Sequence, residues 1–343
     1  MIPVAQPTIG EEEKAAVAEV LDSRWLATGE RVAEFEAAVA ALSGRAHGVA
    51  FMSGTDALDA AMRTHDALYR RLMVPSLTYC ATANTIERAG HECVFVDIER
   101  ASLMAADACH ADVAFAGAIP DCASQIVDAA HAIGANGLKG DLIVYSFHPN
   151  KNITTGEGGM VVTSDEGFAR ELKRLRFHGL AVDGPYKGTV DYEPSGKSNM
   201  SDISAAIGLA QLKKLPELLR DRMYRVHQYK GELLDAGFGD ERLTWPLGPW
   251  ADGRVWNMFN VFIEWSEVGM CRPKFTKLMA ERGVEVGWHY NPVHLHPYYW
   301  TKYHASLPET EWAGERIVTL PLFGHMTSAQ VSEVCEAVQE VLA

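Results

Sequence analysis

A single lysine stands between two strand-like segments. Residues 142–145 (Leu-Ile-Val-Tyr) and 160–163 (Met-Val-Val-Thr) are apolar, and the glycine-rich connection between them carries Lys151. An amine held between buried strands is costly unless its charge is used or covalently removed. A second short apolar run, Ile126-Val127, ends in Asp128 and continues into Ala129-Ala130-His131. An acid at one strand end and an amine after the next is the pair that a pyridoxal 5′-phosphate (PLP) site requires. The carboxylate keeps the pyridine nitrogen protonated, and the lysine holds the aldehyde as a Schiff base. Gly54 and Thr55 open a predicted helix, where free N–H groups and the positive dipole end attract a phosphate and glycine allows close approach. Each feature alone has a plainer reading: a turn lysine, an acid at a strand end, and a Ser-Gly-Thr helix cap.

These residues need a scaffold, and the chain alternates helix-like and strand-like segments. Helical spacing covers residues 11–21 and 32–42, the second closed by Gly44. Strands over 48–52, 72–75 and 93–96 alternate with helices over 55–62 and 81–88. Such alternation predicts parallel strands with helical crossovers, an α/β architecture whose ligands lie beyond the carboxyl ends of the strands. Residues 165–177 read as a helix with Lys173, Arg174 and Arg176 in its last turn, and residues 180–198 as a long loop. A helix over 202–219 is expected to break near Pro216. The remainder reads as strand 258–265, helix 273–282, strand 284–288 and helix 328–342. The domain boundary is expected near residue 220, giving a large domain over 1–220 and a smaller one over 221–343.

The chain has 343 residues, 48% hydrophobic and 22% charged, enough for one large domain and a smaller one. A net charge of −14 argues against nucleic acid or an anionic membrane as the main partner. No apolar run approaches the roughly 18 residues of a membrane span, and residues 1–7 carry no secretory pattern. Six scattered cysteines (Cys80, Cys93, Cys109, Cys122, Cys271 and Cys335) read as reduced thiols of a cytoplasmic protein.

Seven segments, in order, resemble the DegT/DnrJ/EryC1/StrS family of PLP-dependent sugar aminotransferases. They are Ser53-Gly54-Thr55-Asp56-Ala57-Leu58, Val74-Pro75-Ser76-Leu77-Thr78-Tyr79, Val96-Asp97-Ile98, Asp128-Ala129-Ala130-His131, Ser146-Phe147-His148-Pro149-Asn150-Lys151-Asn152, Gly156-Glu157-Gly158-Gly159 and Met200-Ser201-Asp202. Any one is weak; their order along nearly the whole chain is specific. Residues 176–183 and Leu320-Pro321-Leu322-Phe323 look most like the branch that makes UDP-4-amino-4-deoxy-L-arabinose. His131, where many members have glutamine, fits that branch and the flagellar-sugar branch.

The resemblance implies a fold-type-I PLP-dependent transferase: a mainly parallel central sheet flanked by helices, with a smaller C-terminal α/β domain. It implies that Lys151 moves the proton between substrate carbon and C4′ of the cofactor, and that Asp128 pairs with the pyridine nitrogen. Ser146 would join Gly54 and Thr55 at the phosphate, Tyr79 would stack on the ring, and His131 would contact its phenolic-oxygen side. Lys197 and Asn199 match a segment that reaches the phosphate of the neighbouring subunit's cofactor, where many members have asparagine and arginine. His289, Tyr290 and His294 match the nucleotide-sugar side, and Trp25 and Thr28 are candidates to close over substrate. The plainer readings here are a core histidine, a core aromatic and a solvated loop. The histidines of 289–296 fit no usual zinc spacing, so no metal is expected.

The function so implied is transfer of an amino group, with L-glutamate as donor, to a keto sugar, a 4-keto nucleotide-linked one above others. It would follow a ping-pong course in a homodimer with shared sites. A keto-cyclitol acceptor and a non-catalytic regulatory member are the alternatives. A dehydratase of the same family, with histidine in place of the lysine, is opposed by Lys151. One departure is large: only residues 98–127 separate Asp97 from Asp128, where the family has a longer stretch. A strand with its crossover helix trimmed to almost nothing is expected there, which leaves open how one sheet face is covered.

Overall fold

The computed structural model describes residues 1–64, 70–121, 123–183, 187–246 and 254–343; Cys122 and residues 184–186 of the expected loop lie outside them. From the N-terminus, α1 (Glu11–Ser23) and α2 (Glu30–Leu42) precede β1 (His47–Phe51), α3 (Gly54–Thr64), β2 (Arg71–Pro75), α4 (Cys80–Arg88) and β3 (Glu92–Val96). Then follow β4 (Ala111–Val113), β5 (Ser124–Asp128), β6 (Gly140–Ser146), β7 (Gly159–Thr163), α5 (Glu166–Arg176) and α6 (Asp202–Asp235). The C-terminal part holds β8 (Leu243–Thr244), β9 (Phe259–Ile263), α7 (Arg272–Glu281), α8 (Pro297–Tyr303), α9 (Pro308–Arg316), β10 (Ile317–Leu320) and α10 (Ser328–Leu342).

The central sheet has the order β1-β7-β6-β5-β4. β4, β5 and β6 run parallel, whereas β7 is antiparallel to both neighbours. The parallel pair β2–β3 abuts the β4 edge, where the Met73 carbonyl accepts from the His110 amide at 3.2 Å. Strand β6 explains why both faces are covered. Leu142 and Val144 pack with residues of α3, α4 and α5, while Ile143 and Tyr145 pack with residues of α2 and α6. A strand apolar on both sides can be stable only between two helical layers.

The C-terminal part is the antiparallel sheet β10-β9-β8 with α7 and α10 on it, closed around Phe259, Phe275 and Val338. Helix α6 joins the two parts. The expected break at Pro216 is absent: α6 runs unbroken over 34 residues and through residue 220. Leu215 and Leu218 bury in the large part, and Val226, Tyr229 and Leu233 in the smaller one. Proline removes one backbone hydrogen bond, and packing on both sides of it holds the helix. The expected strand over 284–288 is also corrected. It makes only the isolated bridges Ile2↔Val284 and Gly287↔Thr319 before crossing toward the large part.

The shortened stretch keeps the three residues of β4 and a single 3₁₀ turn, Phe115–Gly117. The segment after residue 253 takes the place of a crossover helix. Val255 donates to the Gly117 carbonyl at 3.2 Å and joins Ala114 and Val127 in the core. Gly117 has φ +84°, and a Cβ there would lie 1.7 Å from the Val255 carbonyl oxygen, so the turn admits only glycine.

Candidate active site

The sheet register brings the chemistry to one edge. Asp128 ends β5 opposite Val144, and Ser146 ends β6 opposite Gly159, the first residue of β7. Phe51 at the end of β1 also pairs with Gly159, so the start of α3 sits beside Ser146. The β6–β7 connection then carries Lys151 back over this edge. The result is a cavity of about 460 Å³ lined by Gly54, Thr55, Tyr79, Asp128, His131, Ser146, Lys151, His289 and Tyr290, among others.

Asp128 is buried. It accepts from the Thr82 hydroxyl at 2.7 Å and from the Ala130 amide at 3.1 Å. Burial pushes its pKa up against these donors and the nearby Lys151 charge. Burial pushes the Lys151 ammonium down to about 8, with Asp128 acting the other way. A lysine so placed stays mainly charged at neutral pH but carries a far larger neutral, nucleophilic fraction than an ordinary lysine. His131 and His289 are both held neutral by burial and by the Lys151 charge, His289 near 4.

His131 Nδ1 accepts from the Ala116 amide at 3.3 Å, which leaves its proton on Nε2, 3.2 Å from the Tyr290 hydroxyl. The trimmed crossover turn therefore supports His131, a lining residue of the cavity, from behind. Tyr79 stands across from Tyr290, ring centroids 5.8 Å apart.

Five candidates lie outside this cavity. His294 is buried between Ser76 Oγ (2.7 Å from Nδ1) and Glu311 (3.3 Å from Nε2). This serine–histidine–glutamate arrangement is not hydrolytic. Ser76 is fully buried, and its hydroxyl already accepts from the His294 amide at 2.9 Å. It ties the β2–α4 loop to the C-terminal part. Lys197 and Asn199 bridge to Phe177 and Phe51 on the outer side of β1. Trp25 is 61% exposed. Thr28 also does not line the cavity; it donates to the Met200 carbonyl at 2.7 Å. Thr82 and Thr78, which do belong to the site, were missed by sequence reasoning; the only signal was a threonine between two alanines in a first helical turn.

The donors fit PLP. The α3 N-terminus abuts Ser146 so closely that a Cβ on Gly54 would lie 2.7 Å from Ser146 Cβ. Backbone N–H groups and the serine hydroxyl thus converge, with a carboxylate and an amine within the same cavity. The DegT/DnrJ/EryC1/StrS aminotransferase family model matches residues 7–113 and 123–339. The chain belongs to that family.

It is a PLP-dependent aminotransferase, and the interruption of the match at 114–122 falls on the trimmed crossover. Its fold is similar to that of Helicobacter pylori PseC, an aminotransferase involved in the biosynthesis of pseudoaminic acid, with a TM-score of 0.90 and 24% identity over 99% of both chains. It is similar to the aminotransferase TlmJ of Streptoalloteichus hindustanus, with a TM-score of 0.87 and 28% identity over 100% of this chain and 99% of that one. It is also similar to DesI, solved in the presence of its TDP-sugar product, with a TM-score of 0.85 and 26% identity over 99% and 93%.

Proposed function

We propose that this aminotransferase moves an amino group from L-glutamate to a keto sugar, in particular a 4-keto nucleotide-linked sugar, by a ping-pong course. The observation that carries the reading is the convergence of Lys151, Asp128 and the Gly54-Thr55-Ser146 cradle on one cavity. The TDP-sugar product of DesI supports the acceptor class.

When bound, PLP supplies an aldehyde that condenses with amines and a ring that accepts an electron pair. Gly54, Thr55 and Ser146 bind its phosphate. Asp128 holds a proton at the ring nitrogen, and the ion pair offsets the carboxylate's burial. Tyr79 covers one ring face. Lys151 Nζ, with its pKa lowered to about 8, gives and takes the proton at the substrate carbon. Neutral His131 and His289 and the Tyr290 hydroxyl offer hydrogen bonds without adding charge.

We further propose a homodimer with shared sites in the cytoplasm. Trp25, Met52, Phe177 and Val190 are exposed apolar residues near Lys197, Asn199 and Thr28, which fits a self-association face that carries these residues into a partner's site. No described helix is long and apolar enough to cross a membrane. Cys80, Cys93, Cys271 and Cys335 carry free thiols, in keeping with a reducing compartment.

The test uses the purified protein with PLP. L-glutamate should bleach the yellow absorbance, and a panel of nucleotide keto sugars and keto-cyclitols should restore it for one class. Restoration by cyclitols alone refutes the sugar assignment. Mixing Lys151→Ala with Asn199→Ala or Lys197→Ala subunits should restore activity above either parent, and no gain in any mixture refutes shared sites.

A further inference from the structure

We propose that Thr82, backed by Thr78, is a positioning residue that keeps Asp128 ionised and aimed at the cofactor's ring nitrogen. The inference rests on the reading of Asp128 as the partner of that nitrogen. Asp128 has two oxygens to satisfy. Oδ1 receives the Ala130 amide at 3.1 Å, and Oδ2 receives the Thr82 hydroxyl at 2.7 Å. The second is the shorter contact, and a hydrogen bond to an ionised acceptor is about twice as strong as a neutral one.

A threonine hydroxyl has one hydrogen to give. Thr82 Oγ1 also lies 3.4 Å from the Tyr79 carbonyl and 3.0 Å from Thr78 Oγ1. The short distance to a carboxylate decides the contest. Thr82 donates to Asp128, and Thr78 donates to Thr82, so the two hydroxyls form a directed chain ending on the carboxylate. All three residues are buried, Thr82 completely, so water does not compete for these bonds. Thr82 also lies in the first turn of α4, where the helix dipole favours a negative neighbour.

The groups around Asp128 otherwise leave its charge poorly supported. Lys151 is the cation near it and is itself pushed toward neutrality by burial. If Asp128 takes the proton, the ring loses it and with it much of its power to accept electrons. Nothing in the phosphate cradle or the lysine loop compensates. The Thr82 hydroxyl is the side-chain donor that tips the shared proton toward the ring.

The experiment reconstitutes the full-length protein with PLP carrying ¹⁵N at the ring and reads the nitrogen's chemical shift. The parent and Thr82→Ser should give the protonated value. Thr82→Val and Thr82→Ala should move it toward the unprotonated value. They should also slow the half-reaction with L-glutamate on the order of tenfold, the loss of one charge-assisted bond, with KM little changed. Two donor-free variants guard against a misfolded one, checked by circular dichroism. A protonated nitrogen in both, or a Thr82→Ser variant as impaired as Thr82→Val, overturns the role of the hydroxyl. Asp128→Asn is the separate arm: if it too leaves the nitrogen protonated, the reading of Asp128 falls instead.

Discussion

The closest contact in the proposed phosphate cradle gives the sharpest prediction. An ideal Cβ on Gly54 would lie 2.7 Å from Ser146 Cβ, 2.9 Å from its Oγ and 3.3 Å from its Cα. Ser146 cannot retreat, because it is the last residue of a central strand and pairs with Gly159. Nor can Gly159, where a Cβ would meet the Ser53 carbonyl at 2.3 Å. Carbon atoms prefer roughly 3.5–4.0 Å, so Gly54→Ala must push the start of α3 away by about 1 Å. Overpacking of this kind costs about 1–3 kcal/mol of stability. A 1 Å displacement also takes a good N–H···O contact out of range. One lost hydrogen bond to a charged oxygen costs about 1.5–3 kcal/mol, so PLP should bind roughly 10- to 100-fold more weakly.

The assay titrates the full-length apoprotein with PLP and follows absorbance, with thermal unfolding alongside. Gly231→Ala is the control: it lies within α6 with nothing inside 4 Å of its Cβ, so it should stabilise by about 0.5–1 kcal/mol and leave PLP affinity unchanged. A Gly54→Ala protein that binds PLP as tightly as the parent refutes the cradle.

Other outcomes follow from the same contacts. Lys151→Met should raise the thermal stability of the apoprotein at pH 7. The folded pKa near 8 lies below the unfolded value of 10.5, so the lysine's charge opposes folding below pH 8 and that penalty vanishes between 8 and 10.5. The gain should therefore shrink as pH rises through that window, and a constant gain would show that burial of charge is not its cause. Ser76→Ala leaves the His294 amide and Nδ1 without a partner and should lower stability by about 2–3 kcal/mol while PLP still binds. Unchanged unfolding would remove the claim that this contact ties the two parts together. Gly117→Ala meets the Val255 carbonyl in a positive-φ turn and should displace Ala116 and so His131. Loss of substrate affinity exceeding loss of PLP affinity is expected, and equal losses would mean general unfolding.

Much of the large part was legible in the sequence because its elements obey local rules. Apolar runs bounded by glycine located β1, β6 and β7, and helical spacing located α2 and α4 to within two residues. Pro216 misled, because a propensity of a few kcal/mol yields to apolar packing along 34 residues. Residues 284–288 misled in the opposite direction. Their alternation is real, but the strand is spent on single bridges to Ile2 and Thr319, partners no local pattern reveals.

What the sequence by itself determined is the reagent set and its order: an amine at Lys151, an acid at Asp128, a helix start at Gly54 and a hydroxyl at Ser146, each carried by a short local motif. Tertiary structure decided which of the named residues meet. Parallel register puts Asp128 and Ser146 at the same strand ends, and pairing of Phe51 with Gly159 brings α3 to them. Only the folded chain sets Thr82 against Asp128, sends His294 into a buried contact with Ser76, and places the trimmed crossover behind His131. Those are long-range contacts, and the residues that make them are chosen by how the layers stack, which no local spacing encodes.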